Sequence, residues 1–269
     1  MGERSVIEWT DSTWNPWRGC DKVSPGCAHC YMFRDQRRYG RDPDVVVRAA
    51  GPTFYAPVKS KKWAEERERC IADHGRHLVF TCSWSDVFHP AADDWRREFW
   101  EIIRRTPRSI YQVLTKRPER IAECLPEDWG EGYPNVWLGV TIENRRFVGR
   151  ADLLRAVPAE VRFISAEPLL GPLVCDASGG QWRDGFEGHQ LDLSEIDWLI
   201  TGGESGSGHR PFDPAWAADL RSECAAEGVA FFHKQNGGPR PDSNGRLLDG
   251  RTYDEMPSVA EPEQLSEAA

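Results

Sequence analysis

Short apolar runs and stretches of helical periodicity alternate along this chain. Nearly every position in the short runs is apolar, which is typical of strands that are buried on both faces of a parallel sheet. Seven such runs predict seven strands, at residues 6–10, 78–82, 111–116, 136–141, 161–166, 198–202 and 230–234.

Between the predicted strands, apolar residues recur three or four positions apart, as on one face of a helix. Residues 94–105 predict such a helix, with its apolar face formed by Trp95, Phe99, Ile102 and Ile103. Residues 214–227 predict another, with its apolar stripe formed by Trp216, Ala217, Leu220, Cys224 and Ala225. Alternating strands and helices imply right-handed βαβ units. We therefore predict an α/β fold, a partial or nearly closed TIM-like (β/α) barrel of about seven parallel strands. An open doubly wound sheet is the alternative.

Three segments interrupt this alternation. Residues 41–62 are interpreted as a long connection, and residues 171–196 as an insertion rich in Gly, Asp and Glu. After residue 237, the turn sequences Ser-Asn-Gly and Leu-Asp-Gly predict a small hairpin. The expected organisation is a single barrel domain at 1–238 with a cysteine loop at 15–31, a C-terminal hairpin extension at 239–256 and a disordered tail at 257–269.

The composition is that of a soluble globular protein. The 269 residues are 39% hydrophobic and 29% charged, which is too apolar for a disordered chain, and no apolar run is long enough for a membrane helix. The N-terminal sequence lacks a signal-peptide pattern, so we expect a cytoplasmic protein without membrane contact. A net charge of −9 argues against nonspecific nucleic-acid binding by the whole surface but not against a local basic groove.

Charged and hydroxyl residues follow most of the predicted strands. Because a parallel barrel gathers the carboxyl ends of its strands on one face, these residues predict the mouth of an active site. Helix capping is the alternative explanation for the acids and hydroxyls, but capping does not require lysines at strand ends. The predicted catalytic residues are Asp86, Lys116, Glu143, Glu167, Glu204 and Lys234.

A glycine-rich run at residues 202–208 follows the sixth predicted strand. Its consecutive backbone N–H groups are suited to a phosphate or carboxylate, although it is neither a P-loop nor a dinucleotide fingerprint. The predicted cofactor-binding residues are Gly202, Gly203, Ser83, Ser85, Asn144 and Tyr31.

Three of the eight cysteines form a C-x6-C-x2-C motif of Cys20, Cys27 and Cys30, whereas the other five are scattered and predicted to be buried thiols. Three thiolates can hold zinc together with His29 or another fourth residue, or a [4Fe–4S] cluster with one iron left open. The absence of a second C-x2-C or H-x3-H pair, and a position after the first predicted strand, favour the cluster.

The motif resembles that of the radical S-adenosylmethionine (SAM) superfamily, in which a three-cysteine loop after the first barrel strand ends in Cys-x-x-Cys-Tyr. There the open iron binds the amino and carboxylate groups of SAM, and an electron from the cluster cleaves SAM to a 5′-deoxyadenosyl radical. The resemblance implies that Cys20, Cys27 and Cys30 hold the cluster and that SAM is a second cofactor. The first gap is six residues here instead of the usual three, and a Gly-Gly-Glu element follows the sixth strand instead of the second.

More closely, the chain resembles a family of phage and prophage three-Cys-motif proteins. The stretches that carry this resemblance lie between residues 7 and 238 and are IEWTDSTWNPWRGCDKVSPGCAHCY, FTCSWSDVFHP, YQVLTKRPER, NVWLGVTIENRR, RFISAEPLLGPL, LITGGESGSGHRP and FFHKQNGG. The Ser-x-Ser-Asp sequence that ends at Asp86 is also similar to that of spore photoproduct lyase, a DNA-repair member of the superfamily. These resemblances imply a lyase or transferase that acts on damaged or modified nucleic acid. They also imply an electron donor such as a flavodoxin or ferredoxin, and a protein partner encoded nearby.

Basic segments at residues 34–41 and 59–62, interleaved with Tyr39, Phe54, Tyr55 and Trp63, are candidates for contacting phosphates and stacking on bases. Two other functions stay open. One is a divalent-metal-dependent hydrolase or lyase whose ion is held by strand-end carboxylates and His89. The other is a noncatalytic iron–sulfur protein that acts through a partner.

Overall fold

A computed structural model describes residues 2–175, 189–241 and 243–258 of the 269-residue chain. The strands are β1 (Ser12–Trp14), β2 (Trp17–Arg18), β3 (Val47–Arg48), β4 (Leu78–Thr81), β5 (Ile110–Thr115), β6 (Val136–Thr141), β7 (Val161–Ala166), β8 (Trp198–Gly202) and β9 (Ala230–Gln235). The helices are α1 (Tyr31–Arg38), α2 (Gly51–Phe54), α3 (Ala56–Lys59), α4 (Lys61–His74), α5 (Asp93–Arg104), α6 (Ile121–Cys124), α7 (Arg150–Arg155) and α8 (Pro214–Glu227).

Seven of the strands form one parallel sheet in the order β1-β4-β5-β6-β7-β8-β9. Its order follows the chain, without the reversal that a doubly wound sheet has at its switch point. The sheet curls into a half-barrel whose edge strands, β1 and β9, do not pair with each other. The predicted partial barrel is therefore confirmed, and the open doubly wound alternative is wrong. The two remaining strands, β2 and β3, form a small antiparallel ribbon.

Six of the seven predicted strands are present, but the first prediction was wrong. Residues 6–10 form turns, and the edge strand is Ser12–Trp14. Val6 is 96% exposed, whereas Trp9 is buried and packs against Phe80 and Trp198 instead of entering the sheet. Part of this apolar run thus covers the concave, inner face of the curled sheet.

Two layers of side chains cover the two faces of the sheet. The outer layer lies between the strands and helices and includes Trp14 stacked on Phe99 of α5, with ring centroids 5.1 Å apart. The inner layer fills the hollow with rings such as Phe163 and Trp198. Gly139 of β6 makes room for this layer, since a Cβ there would lie 2.4 Å from the Phe163 ring.

The predicted long connection at residues 41–62 is in fact structured. It contains β3, α2, α3 and the start of α4, with a proline in the first turn of both α2 and α3, where no hydrogen bond is lost. The hydroxyl of Ser60 accepts a hydrogen bond from the Trp63 backbone at 3.3 Å and caps α4. Phe54 and Trp63 are buried in the core, so they are unavailable for stacking on bases.

The two predicted helices are present as α5 and α8. The second has the bounds that its pattern predicts, with Asp213 accepting a hydrogen bond from the Ala215 backbone at its start. Trp95 and Trp216 are only partly buried, and Ala225 is exposed, so the buried stripes are narrower than predicted. No helix in the described part of the chain is long and apolar enough to span a bilayer.

The segment after β9 folds back on the sheet. Its predicted hairpin is reduced to a single bridge between Leu248 and Arg251, and Asp254 forms another isolated bridge with Phe232 of β9. The expected disordered tail lies outside the described residues except for Pro257 and Ser258, and residues 176–188 of the predicted insertion are outside them too. Four of the five scattered cysteines are buried as predicted, while Cys175 is partly exposed.

Candidate functional site

A cavity of about 800 Å³ lies at the carboxyl ends of the strands. The three cysteines of the motif line one side of it, and Lys116, Glu167 and Lys234 line it from β5, β7 and β9. Aromatic side chains of the inner layer, including Trp9 and Phe80, also contribute to its wall. The cavity thus combines thiols, positively and negatively charged side chains and an apolar surface, a mixture that is common in small-molecule binding sites.

The cysteine loop starts directly after β1 and is tied to the loop after β4. The Asn15 amide donates to Ser83 Oγ at 2.9 Å, and its oxygen accepts from the Trp84 backbone at 2.8 Å. Gly19 has a φ of +93°, and a Cβ at this position would lie 2.2 Å from the Val45 carbonyl oxygen. A glycine before Cys20 therefore allows the loop to pass close to the backbone near β3.

Glu143, just after β6, forms a hydrogen bond with the middle of the cysteine loop. Its fully buried carboxylate accepts the Gly26 backbone N–H at 3.2 Å and pairs with Arg150 at 3.0 Å. A buried charge needs such a partner, and Arg150 also donates to the Thr141 carbonyl at 2.7 Å. Glu143 was predicted to be catalytic; its contacts make it a positioning residue for the segment between Cys20 and Cys27.

Glu204 holds the loop from the side of β8. It accepts hydrogen bonds from His29 Nδ1 at 3.0 Å and from the Arg210 backbone and Nε at 2.9 Å, and Arg210 also donates to the Pro25 carbonyl at 3.0 Å. Burial raises the pKa of Glu204, but the hydrogen bonds from Arg210 and His29 outweigh it and hold that pKa at about 2. Glu204 does not line the cavity, so it too acts as an anchor of the loop.

Arg117 brings a positive charge to Cys20. Its Nη1 lies 3.7 Å from the Cys20 sulfur and 3.5 Å from Asp86 Oδ2. Burial, and to a lesser degree the charge of Asp86, raises the pKa of Cys20 to about 12. Burial also raises the pKa of Cys30. Metal coordination is what deprotonates such buried thiols at neutral pH.

The spacing of the cysteines bears on which metal group they fit. Donor sulfurs around one zinc ion lie about 3.8 Å apart, because each Zn–S bond is about 2.3 Å in a tetrahedral arrangement. Cys20, Cys27 and Cys30 are not among the described groups whose donor atoms all lie within 4.8 Å of one another. At least two of these sulfurs are therefore more than 4.8 Å apart, although all three thiols line the same cavity.

Lys116, Glu167 and Lys234 keep their charged ends at the cavity. Lys234 Nζ lies 3.1 Å from Glu167 Oε1, and Lys116 Nζ donates to Thr141 Oγ1 at 3.2 Å. Gly202 makes room for this pair, since a Cβ there would lie 2.7 Å from the Glu167 oxygen. Of the predicted catalytic residues, these three and Asp86 line the cavity, whereas Glu143 and Glu204 do not.

Asp86 lines the cavity, but its carboxylate is already saturated. It accepts hydrogen bonds from the Phe88 and Lys116 backbones and from Thr115 Oγ1 at 2.7–3.0 Å, in addition to the Arg117 contact. His89 Nε2 pairs with Asp21 at 3.0 Å, while its Nδ1 accepts the Ala91 N–H. Asp86 and His89 therefore each have hydrogen-bond partners within the protein at the mouth of the cavity.

The predicted cofactor-binding residues separate into two groups. Ser83, Ser85 and Tyr31 line the cavity, and the Tyr31 hydroxyl donates to the Ser83 carbonyl at 2.8 Å. The other three do not line it: Asn144 caps a turn by accepting the Arg146 N–H at 3.0 Å, and Gly202 and Gly203 pack closely against neighbouring residues. For Gly203, a Cβ would lie 2.8 Å from the Asn236 backbone. The absence of a side chain at this position therefore allows two loops to pack closely, which explains the glycine without a ligand.

Sequence reasoning missed the arginines that organise this site. Arg117, Arg150 and Arg210 each pair with an acid near the cysteine loop. Arg117 follows Lys116 at a strand end, which was a usable signal, but nothing in the local pattern marks Arg150 or Arg210. Their partners are fixed only by the tertiary structure.

One of the two predicted basic segments flanks the cavity. Arg34 lines it, and Tyr39, which is 61% exposed, lies 6.4 Å from Trp84, another lining residue. The Arg41 guanidinium lies 5.7 Å from the centre of the Tyr39 ring. Residues 59–62 instead sit at the junction of α3 and α4, where Lys59 contacts the partly buried Tyr55.

Comparisons with known proteins identify a family but no activity. Neither the curated proteins nor the solved structures contain a match to this chain. A family model described as a protein of unknown function, DUF5131, matches residues 4–257, which is nearly the whole chain. The chain therefore belongs to the DUF5131 family.

Proposed function

We propose that this protein is an iron–sulfur enzyme similar to the radical SAM proteins, with a [4Fe–4S] cluster held by Cys20, Cys27 and Cys30. The observation that carries the proposal is that these three thiols line one cavity together with Lys116, Glu167 and Lys234. When bound, such a cluster supplies one-electron chemistry and an open iron for SAM. Parallel strands with their active residues at the carboxyl ends are the usual setting for enzymatic chemistry in barrel folds.

The chain's own residues have separate tasks in this proposal. Glu143, Glu204 and Arg210 fix the cysteine loop, and Arg117 places a positive charge beside Cys20. Lys116 and Lys234 orient anionic groups of the ligands, and Glu167 holds Lys234 in place across the 3.1 Å contact between them. Tyr31, Ser83 and Ser85 offer polar contacts along the wall nearest the cysteines.

The proposed substrate is a damaged or modified base in nucleic acid. Support comes from the rim of the cavity, where Tyr39 lies near Trp84 and Arg41, and where Arg34 lines the cavity together with Trp84. Exposed rings stack on bases while arginines contact phosphates, so this combination suits a single strand or an extruded base. The remaining parts of the proposal are a phage-related origin, a cytoplasmic location, and a lyase or transferase reaction in DNA repair or nucleic-acid modification. A flavodoxin or ferredoxin would be the electron donor, and a protein encoded nearby would be a further partner.

The decisive experiment is iron and sulfide analysis of anaerobically purified protein, with electron paramagnetic resonance of the reduced protein in the presence and absence of SAM. We expect a brown protein whose spectrum shifts on addition of SAM. Combined Cys20→Ala, Cys27→Ala and Cys30→Ala substitutions should remove the colour, whereas Cys175→Ala, at a partly exposed thiol outside the motif, should retain it.

The other outcomes separate the competing functions. A cluster whose spectrum does not change on addition of SAM would contradict the proposed similarity to radical SAM enzymes and favour a noncatalytic iron–sulfur protein. A colourless protein with no iron would overturn both, and a stoichiometric divalent ion in its place would favour the hydrolase.

A further inference from the structure

A group of three side chains of the types that bind metal ions lies at the amino ends of β1 and β4, whereas the cavity lies at the carboxyl ends of the strands. Asp11, Cys70 and His74 bring a carboxylate oxygen, a thiol sulfur and an imidazole nitrogen within 4.8 Å of one another. Within residues 2–175, 189–241 and 243–258, no other trio of His, Cys, Asp and Glu ligand atoms has this spacing. None of the three lines the cavity of the cysteine loop.

The fold sets this arrangement by two simple relationships. Cys70 and His74 are four residues apart in the last turns of α4, so they lie on the same face of the helix. Asp11 immediately precedes β1, and its Oδ2 accepts the backbone N–H of Leu78, the first residue of β4, at 2.7 Å. That hydrogen bond leaves Oδ1 facing His74, whose Nε2 is 3.2 Å away.

We propose that Asp11, Cys70 and His74 form a binding site for Zn²⁺. Thiolate, imidazole and carboxylate are the ligand types that zinc prefers, and donor atoms around a zinc ion lie about 3–4 Å apart, within the spacing seen here. Cys70 is buried and His74 is exposed, so the ion enters from the solvent side and a water completes four-fold coordination. Binding replaces the thiol proton of Cys70 and the contact between His74 and Asp11.

The charges around the thiol are compatible with a cation. Arg69 Nη2 lies 3.4 Å from the Cys70 sulfur, but the Arg69 side chain is paired with both Glu66 and Asp73. Glu66 Oε1 lies 3.9 Å from the same sulfur, and the Glu66 carboxylate is itself paired with Arg69 and with Arg4, so these groups form an ion-pair network beside the three ligands. Since Cys70 has no disulfide partner, its thiol is available for coordination.

Zinc at this position would crosslink the start of β1 to the end of α4. Strand β1 has three residues, and besides its pairing with β4 it has only one isolated bridge, between Thr13 and Gly2, among the described residues. The cysteine loop begins directly after β1. The ion would therefore stabilise β1, the strand that precedes the cysteine loop. This effect does not depend on whether the cysteine loop holds a cluster.

The test uses the full-length chain with Cys20→Ser, Cys27→Ser and Cys30→Ser, so that the thiols of the cavity do not compete for the metal. Co²⁺ is titrated alone, and its binding is followed by thiolate-to-cobalt charge-transfer absorption, before Zn²⁺ is added as a competitor. We expect one equivalent of Co²⁺ to bind, Zn²⁺ to displace it, and Zn²⁺ to raise the midpoint of thermal unfolding by several degrees.

His74→Ala in this background should weaken binding at least tenfold, and Cys70→Ser should remove the charge-transfer band. Cys124→Ser, at a buried thiol on α6, is the matched control. It should change neither the affinity for the metal nor the charge-transfer band. Absence of binding in the triple variant, or binding unaffected by His74→Ala, would overturn the proposal. If circular dichroism shows that the triple variant is unfolded, the bound zinc is compared between the wild-type chain and its His74→Ala form. Loss of one equivalent supports the site, and equal zinc content refutes it.

Discussion

The carboxylate of Glu143 accepts a hydrogen bond from the backbone of Gly26 and so connects β6 to the cysteine loop across a separation of 117 residues. Because Glu143 is fully buried and paired with Arg150, its position is fixed by the core and not by solvent. The position of the loop is therefore set in part by a buried ion pair just after β6. This relationship leads to the first prediction.

Gly26→Ala should reduce the iron content of anaerobically purified protein several-fold. A Cβ at residue 26 would lie 3.1 Å from the Glu143 Oε1 atom, and the buried Glu143–Arg150 pair has little room to move. Gly51→Ala is the matched control, since a Cβ there meets nothing within 4 Å. Equal iron content in the two variants would contradict this role of Glu143.

Arg117→Gln should make the proposed cluster harder to reduce. Loss of a buried positive charge 3.7 Å from the Cys20 sulfur removes an interaction that favours the more negative, reduced state. The expected drop in midpoint potential is on the order of 100 mV, from Coulomb's law at an effective dielectric constant of about 20. Potentiometric titration followed by electron paramagnetic resonance measures it. Arg120→Gln, on the neighbouring turn and paired with Asp93, should leave the potential unchanged.

His77 should make the protein less stable in mild acid. It is buried between Ser12 and Ser109, 2.9 Å from each hydroxyl, and burial lowers its pKa from 6.5 to about 4. The unfolded chain therefore binds the proton more readily, so the stability contributed by neutral His77 is present above about pH 6.5 and is lost as the pH falls towards 4. A shift of this size corresponds to about 3 kcal/mol.

Urea unfolding between pH 4 and 7 measures this contribution. His77→Gln should lower the stability at neutral pH and flatten its dependence on pH. Burial also lowers the pKa values of His89 and His233, so part of the slope should remain. An unchanged slope in the variant would show that His77 does not titrate as its burial indicates.

Tyr39→Ala should weaken the binding of a single-stranded oligonucleotide about tenfold, because stacking of one base on an aromatic ring is worth about 1–3 kcal/mol. Fluorescence anisotropy at fixed salt concentration measures the affinity. Leu153→Ala removes another exposed apolar side chain, on α7, and should have no effect. Equal binding by both variants would refute the proposed nucleic-acid surface without affecting the proposed cluster.

Hydropathy predicted most of the sheet because strands covered on both faces carry continuous apolar runs. It failed at β1 for a physical reason: Ser12 and Thr13 are polar, yet the buried Ser12 hydroxyl is satisfied by His77 and by the Glu3 carbonyl. The apolar residues just before them belong to the segment that covers the hollow. Periodicity does not distinguish a strand from an apolar turn of the same length.

The site was predictable in its location but not in its internal roles. Strand-end position alone correctly brought Lys116, Glu167 and Lys234 to one cavity with the cysteines. It did not separate them from Glu143 and Glu204, because that distinction depends on arginines whose pairings exist only in the folded chain. Asn144 shows the same limit, since a side chain that caps a turn has the same sequence signature as one that faces a ligand.

The unpaired edges of the half-barrel have a consequence for the shape of the substrate. In a closed ring of strands, a ligand enters only from above, so a long polymer has to present a free end or a fully looped-out unit. Here β1 and β9 do not pair with each other. The segment before β1 (residues 5–9) and two residues after β9, Arg240 and Pro241, line the cavity. For the proposed nucleic-acid substrate, this means that a polymer without a free end would lie across the gap between the two edges and place one nucleotide in the cavity.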